Sequence, residues 1–180
     1  MPTKELGNGN VYLMGFMGCG KSRVGKLLAE HLGWPFIDTD EMIVQETSKS
    51  IPELFNDHGE NGFRQHERSC IDRVSRLRGH VVSLGGGAVL DPGNWEKISN
   101  SGFTITLSYP LKIIASRLSA STDRPLLNTT EDSERLKKIE NLMSQREPFY
   151  RKADFELHMN REVPAERIAK MLLSYLKDRP

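Results

Sequence analysis

A chain of 180 residues can build one α/β domain with a real hydrophobic core, and no composition shift marks an internal boundary. Its 25 Lys and Arg against 24 Asp and Glu leave a net charge of +1, which excludes a broad nucleic-acid-binding face. No apolar run approaches the ~20 residues of a bilayer span, residues 1–10 are polar, and two cysteines make neither a disulfide framework nor a zinc site.

In chain order, Val11-Tyr12-Leu13-Met14 is a β-prone run leading directly into Gly15-Phe16-Met17-Gly18-Cys19-Gly20-Lys21-Ser22. That octapeptide fits G-x-x-x-x-G-K-[ST]. A helical pattern follows, with Val24, Leu27, Leu28 and Leu32 on one face and Gly33 as its stop. Strand, glycine loop and helix are the context in which backbone N–H groups meet polyphosphate oxygens at a helix N-terminus. Lys21 adds a charge near the β- and γ-phosphates, and the Ser22 hydroxyl is a Mg²⁺ ligand. The expected nucleotide contacts are Gly18, Cys19, Gly20, Lys21, Ser22 and Arg23, with Cys19 a small filler between glycines.

Residues 34–37 form a second strand signal ending at Asp38-Thr39-Asp40. A helix over 51–77, broken near Gly59, carries Phe63, Glu67, Cys70, Ile71, Val74 and Leu77 as its stripe. Residues 81–84 read as a third strand with Gly85-Gly86-Gly87 at its end, and Asp91-Pro92 as an N-cap followed by proline at the first helical position. Residues 103–107 are a fourth strand and 111–118 a short helix. Residues 119–133 are polar apart from Pro125-Leu126-Leu127, a composition that predicts a lid over about 118–133. Leu136, Ile139 and Met143 start the next helical stripe, 155–159 is a fifth strand, and Ile168, Met171, Leu172, Tyr175 and Leu176 face a closing helix. Alternating strands and helices predict a parallel sheet covered on both faces.

In such a sheet ligands collect beyond the carboxyl ends of the strands, where the phosphate loop, Asp38, Asp40 and the triple glycine converge. One carboxylate can hold the water shell of Mg²⁺; the other can orient a substrate hydroxyl and accept its proton. The plainer alternative makes Asp40 the N-cap of a helix starting at Glu41. For Arg64 the plainer alternative is an ion pair with Glu60 or Glu67. Arg146 continues the stripe 136, 139, 143 inward, where a guanidinium needs a carboxylate or phosphate. Arg124 either swings over the triphosphate to neutralise charge in the transition state or remains a solvated loop arginine. The bare backbone of 85–87 suits an anion or hydroxyl. His31, His58, His66, His80 and His158 show no metal-ligand spacing.

Together with the phosphate loop, Ile37-Asp38-Thr39-Asp40, the 59–67 segment G-E-x-x-F-R-x-x-E, Leu84-Gly85-Gly86-Gly87, Arg124-Pro125-Leu126-Leu127 and Arg146-Glu147-Pro148-Phe149-Tyr150 resemble the shikimate kinase family from about residue 10 to the last helix. The resemblance implies a single domain over 1–180 (core about 10–179, substrate-binding helical region about 40–72). Its fold would be α/β, a three-layer P-loop kinase fold with a central five-stranded parallel sheet, nucleoside-monophosphate-kinase-like. It implies a cytoplasmic monomer, with neither nucleic-acid nor membrane partner. The reaction would move the γ-phosphate of ATP to the 3-hydroxyl of shikimate, with Mg²⁺, on the route to chorismate and the aromatic amino acids. By matching positions, Lys21 and Ser22 handle phosphates and metal, and Asp38 lies in the metal's outer sphere. Asp40 holds the hydroxyls and acts as base. Arg64 and Arg146 clamp the carboxylate beside Gly86 and Gly87, Arg124 is the lid arginine, and Arg117 lies against adenine. Residues 160–164 are less alike. A gluconate kinase would also bind a carboxylate and hydroxyls; a GTPase-like switch would need N-K-x-D, which the sequence lacks.

Overall fold

The computed structural model describes residues 9–119, 125–127 and 132–178. Five strands, β1 (Asn10–Met14), β2 (Phe36–Asp38), β3 (Val81–Ser83), β4 (Gly102–Ser108) and β5 (Phe155–His158), form one parallel sheet in the order β2-β3-β1-β4-β5. Every residue of the central β1 is buried, which accounts for a continuous apolar run where a half-exposed strand would alternate. The helices are α1 (Lys21–Leu32), α2 (Thr39–Thr47), α3 (Ile51–Val74), α4 (Pro92–Ser101), α5 (Leu111–Leu118), α6 (Asp132–Tyr150) and α7 (Ala165–Lys177). The β1-to-β2 and β3-to-β4 crossovers run in opposite directions along the sheet. Right-handed connections therefore place α1 and α4 on opposite faces. α7 packs on α1, α3 on α4 and α5 on α6.

Local chemistry sets the boundaries. Ser50 and Glu53 form a reciprocal capping box at the start of α3, and Gly59, at φ 65°, breaks that helix where the sequence predicts. The Asp91 carboxylate accepts from Asn94 N, and Pro92 follows as expected. The second strand sits later than predicted because Asp38 pairs in register with Ser83. α3 ends at Val74, and Leu77 is 36% exposed instead of closing the stripe. In α6 the buried stripe starts at Ile139; Arg135, not Leu136, reaches α5, donating to Leu118 O at 2.7 Å. Among the described residues no helix is long and apolar enough to cross a membrane, and no cluster of His, Cys, Asp and Glu could hold a metal.

Candidate active site

The phosphate loop leaves the carboxyl end of β1 and ends at Gly20, whose φ of 89° is left-handed and which gives α1 no side-chain cap. The first N–H groups of α1 have no intrahelical partner, and the helix dipole adds partial positive charge there. Lys21 is 8% exposed, and its Nζ donates to Gly15 O at 2.9 Å and Phe16 O at 3.1 Å. Cys19 is buried with its sulfur 3.8 Å from that ammonium, as a filler should be. Gly18 is half-buried, and Gly20 and Arg23 are exposed at the mouth.

Ser22 joins the loop to the end of β2 by donating its hydroxyl to Asp38 Oδ2 at 2.5 Å. The other oxygen of Asp38 accepts from Asp40 N at 3.0 Å and Glu41 N at 3.3 Å, so Asp38 is the N-cap of α2. The alternative that made Asp40 the cap is thereby corrected: α2 begins at Thr39, and a capping carboxylate must precede the N–H groups it satisfies. Asp40, inside the first turn, lines the pocket against the triple glycine instead.

A Cβ on Gly85 would sit 2.7 Å from Asp40 Oδ1 and 3.1 Å from Glu67 Oε1. On Gly86 it would lie 3.4 Å from Arg146 Nη1, and on Gly87 2.5 Å from both terminal nitrogens of Arg64. Each glycine thus lets charged side chains close onto bare backbone. The loop is fixed from both sides, since Gly85 N donates to Thr39 Oγ1 at 2.9 Å and the Tyr150 hydroxyl donates to Gly86 O at 2.6 Å. Burial pushes the Tyr150 phenol well above its ordinary range, so it remains a donor. Met17, Ile51, Phe55, Phe63 and Leu126 supply the apolar wall opposite.

Arg64 makes both ion pairs of the plainer reading, to Glu60 at 2.9 Å and Glu67 at 2.8 Å, while still facing the pocket. Burial pulls its pKa down, but the two glutamates outweigh that and hold it cationic. Glu67 is 1% exposed. Burial lifts its carboxyl above the usual glutamate range, against Arg64 and with help from Asp40. Arg146 is 4% exposed, as its inward position predicts, and its Nε has no partner among the described residues.

At the other end of the loop, Arg117 Nη1 donates to Gly18 O at 2.8 Å, and its guanidinium lies 4.1 Å over the Tyr109 ring. The same guanidinium pairs with Glu162, which raises its pKa further. Arg117 therefore bridges the phosphate loop to the 160–164 segment. Arg124 and most of the expected lid lie outside the described residues. Within it, the Pro125–Leu127 turn packs on α3 and α6, with Leu127 1% exposed.

The family model described as shikimate kinase matches residues 17–177. A shikimate kinase of Caldanaerobacter subterraneus is 39% identical over 168 residues, covering 93% of this chain and 96% of its own. One from Nostoc is 42% identical over 164 residues, with coverages of 91% and 88%. The chain belongs to the shikimate kinase family. It is therefore a kinase, a phosphotransferase. Among solved structures, shikimate kinase from Acinetobacter baumannii in complex with shikimate superposes with a TM-score of 0.89 at 32% identity, covering 96% of this chain and 94% of that one. The Aquifex aeolicus shikimate kinase gives 0.79 at 34%, with coverages of 93% and 96%. A gluconokinase from Sinorhizobium meliloti, at 19% identity and a TM-score of 0.60, shares the fold alone.

Four residues that fix the site received no site role from the sequence: Thr39, Glu67, Tyr150 and Glu162. Thr39, Glu67 and Tyr150 lie inside motif segments that carry the resemblance, so a signal existed. Glu162 fell in the segment least like the family.

Proposed function

We propose that this chain transfers the γ-phosphate of ATP to the 3-hydroxyl of shikimate, giving shikimate 3-phosphate and ADP. The observation that carries the reading is the triple glycine, against which Asp40, Arg146 and Arg64 close in turn. A pocket with two arginines, two carboxylates (Asp40 and the Arg64-paired Glu67) and one apolar wall suits a small ring bearing one carboxylate and several hydroxyls.

The uncapped α1 N-terminus and Lys21 would take the phosphates. Ser22 and Asp38, already hydrogen-bonded to each other, are hard oxygen donors that fit Mg²⁺, Ser22 directly and Asp38 through water. Bound there, the ion would offset phosphate charge. Arg64 and Arg146 grip the acceptor carboxylate beside Gly86 and Gly87, and so fix which hydroxyl faces the phosphate loop. Asp40 orients that hydroxyl and accepts its proton as the new P–O bond forms. Met17, Phe63 and Leu126 exclude water that would otherwise compete as acceptor. Arg117 steadies the adenine side, and Arg124 supplies lid charge to the transferring phosphoryl. A soluble cytoplasmic monomer completes the reading.

The test is ADP release by the purified chain with Mg·ATP and either shikimate, gluconate or no acceptor. Turnover should require shikimate, and the product should be its 3-phosphate by phosphorus NMR. Equal turnover with gluconate overturns the reading.

A further inference from the structure

The triple glycine opens a tight turn. Ala88 N donates to Gly85 O at 3.1 Å, which makes Gly86 and Gly87 the two central residues of a β-turn. Gly87 has φ −106° and ψ −6°, and Gly86 is not among the described glycines at positive φ. Those angles are those of a type I turn. Glycine at the second central position equally admits type II, where φ there is about +80°. The two forms differ by rotation of the single peptide between Gly86 and Gly87. That rotation changes only ψ of Gly86 and φ of Gly87, two torsions that glycine turns freely, and it keeps the hydrogen bond that closes the turn. The three glycines by themselves therefore do not choose between the forms.

The choice falls to Tyr150. Its backbone carbonyl accepts from Thr106 Oγ1 at 2.8 Å, which seats the end of α6 on β4. From there the buried ring reaches the turn, and its hydroxyl donates to Gly86 O at 2.6 Å. Burial raises the phenol's pKa against the pull of Arg146, so at neutral pH the hydroxyl keeps its proton and donates. Only the type I form points Gly86 O at that hydroxyl. The flipped form would leave a buried hydroxyl and a carbonyl without each other, which is costly.

In a trans peptide the C=O and the following N–H point in opposite directions. Gly86 O faces Tyr150, which stands outside the acceptor pocket, so Gly87 N–H faces the other way, toward the pocket that the three glycines line. Gly87 N has no acceptor among the described residues. The Arg64 and Arg146 guanidiniums close on the same stretch of backbone, against Gly87 and Gly86 respectively. A flipped peptide would present Gly86 O there instead, and a carbonyl oxygen repels a carboxylate. We infer that Tyr150 is a positioning residue for acceptor binding: by holding Gly86 O it selects the type I turn and aims Gly87 N–H at the acceptor's carboxylate. Shikimate as that acceptor rests on the proposed function; the choice of turn does not.

Tyr150→Phe removes the hydroxyl and keeps the ring. In a type I turn the N–H groups of the two central residues lie close together; in type II the Hα atoms of the first approach the N–H of the second instead. Nuclear Overhauser spectra of the full chain should show a strong Gly86–Gly87 amide contact in the wild type. In Tyr150→Phe a strong contact from Gly86 Hα to Gly87 N–H should replace it. If about nine-tenths of the variant's turns flip, Kd for shikimate weakens about tenfold, because only the unflipped fraction binds. Turnover at saturating shikimate should stay within about twofold of wild type, since the bound turn is type I again. Methyl shikimate, whose ester carries no charge, should lose less than about threefold in Kd. An unchanged amide pattern in the variant overturns Tyr150 as the selector of the turn. A flipped turn with an unchanged Kd for shikimate, or an equal loss for the methyl ester, overturns the aim at a carboxylate. If Tyr150→Phe does not fold, the wild type decides: its Tyr150 hydroxyl proton should be protected from solvent, and exchange as fast as that of a free phenol overturns the hydrogen bond. Should shikimate fail to bind the wild type, the proposed function fails while the amide pattern still decides the turn.

Discussion

The two ends of the cleft are made of different material. The phosphate end is one contiguous octapeptide whose ligand-facing groups are backbone N–H, held by the turn of the chain and by Lys21 folded onto its own loop carbonyls. The acceptor end draws side chains from α2, α3 and α6 onto the bare loop after β3. It is held by charges that offset one another, with Arg64 between Glu60 and Glu67. A backbone site is pre-formed and tolerates side-chain loss structurally. A charge-balanced pocket passes each loss on to a partner.

On the proposed reaction, the largest effects should come from Lys21 and Asp40. Lys21→Ala and Asp40→Asn should each lower kcat by ~10²–10⁴, the range for lost electrostatic or proton-transfer groups. Steady-state kinetics alongside thermal melts separates chemistry from folding. Asp40→Asn retaining more than about a tenth of wild-type turnover would remove Asp40 as the base.

Next come the arginines. Arg64→Ala and Arg146→Ala should raise KM for shikimate about tenfold to a hundredfold with little change for ATP, as expected when ~1.5–3 kcal/mol of charge-assisted contact is lost. The two should differ in stability. Removing Arg64 leaves the buried Glu67 without its ion partner, a loss of about 3–5 kcal/mol for fully buried pairs and less here because Arg64 is 17% exposed. Arg146 acts on Glu67 through charge alone, a weaker tie than the Arg64 ion pair. Equal KM increases for both substrates, or equal melting temperatures for the two variants, would erase the contrast between the two ends.

Replacing one glycine at each end sharpens it further. A Cβ at Gly20 meets nothing within 4 Å, so Gly20→Ala acts only through its φ of +89°, costing about 1–2 kcal/mol of backbone strain and raising KM for ATP. At Gly87 the Cβ would strike the Arg64 nitrogens at 2.5 Å, and a flexible side chain can move away. Gly87→Ala should therefore leave the melting temperature nearly unchanged and raise KM for shikimate severalfold, less than Arg64→Ala, because the charge stays nearby. Should Gly87→Ala instead affect ATP, the glycine loop belongs to the phosphate end.

The same contrast explains what was legible in the sequence. A backbone site is a local spacing, and β1, the loop and α1 could be read from 23 consecutive residues, 10–32. Strands and helices followed from apolar periodicity, and α5 even in its boundaries. α2 was foreseen only as a helix starting at Glu41, because its true start at Thr39 is set by Asp38 accepting two backbone hydrogen bonds rather than by an apolar stripe. In the acceptor pocket each residue had a credible surface role on its own. Arg64 illustrates this, since both of its alternative ion pairs form and it still reaches the pocket. Family resemblance, not periodicity, singled it out. Glu162 had no signal, because its partner Arg117 lies 45 positions away in the chain.

The smallest effect concerns the charge balance itself. Burial raises the Glu67 carboxyl above its unfolded value, despite the Arg64 ion pair. A carboxyl with a raised folded pKa binds its proton more tightly in the native state than in the unfolded chain. Its contribution to stability is thus fully present below the unfolded value, ~4.3, and is lost as pH rises through the folded one. Glu67→Gln keeps the shape and cannot ionise, so the melting temperature of the wild type relative to this variant should fall by at most a few degrees between about pH 4 and pH 7. Paired thermal melts across that range measure it. A relative melting temperature that rose with pH would mean that Arg64 more than offsets the burial of Glu67. The acceptor end would then be held by ion pairing outright, like a strong surface clamp, and not by a carboxylate kept in place at some cost to stability.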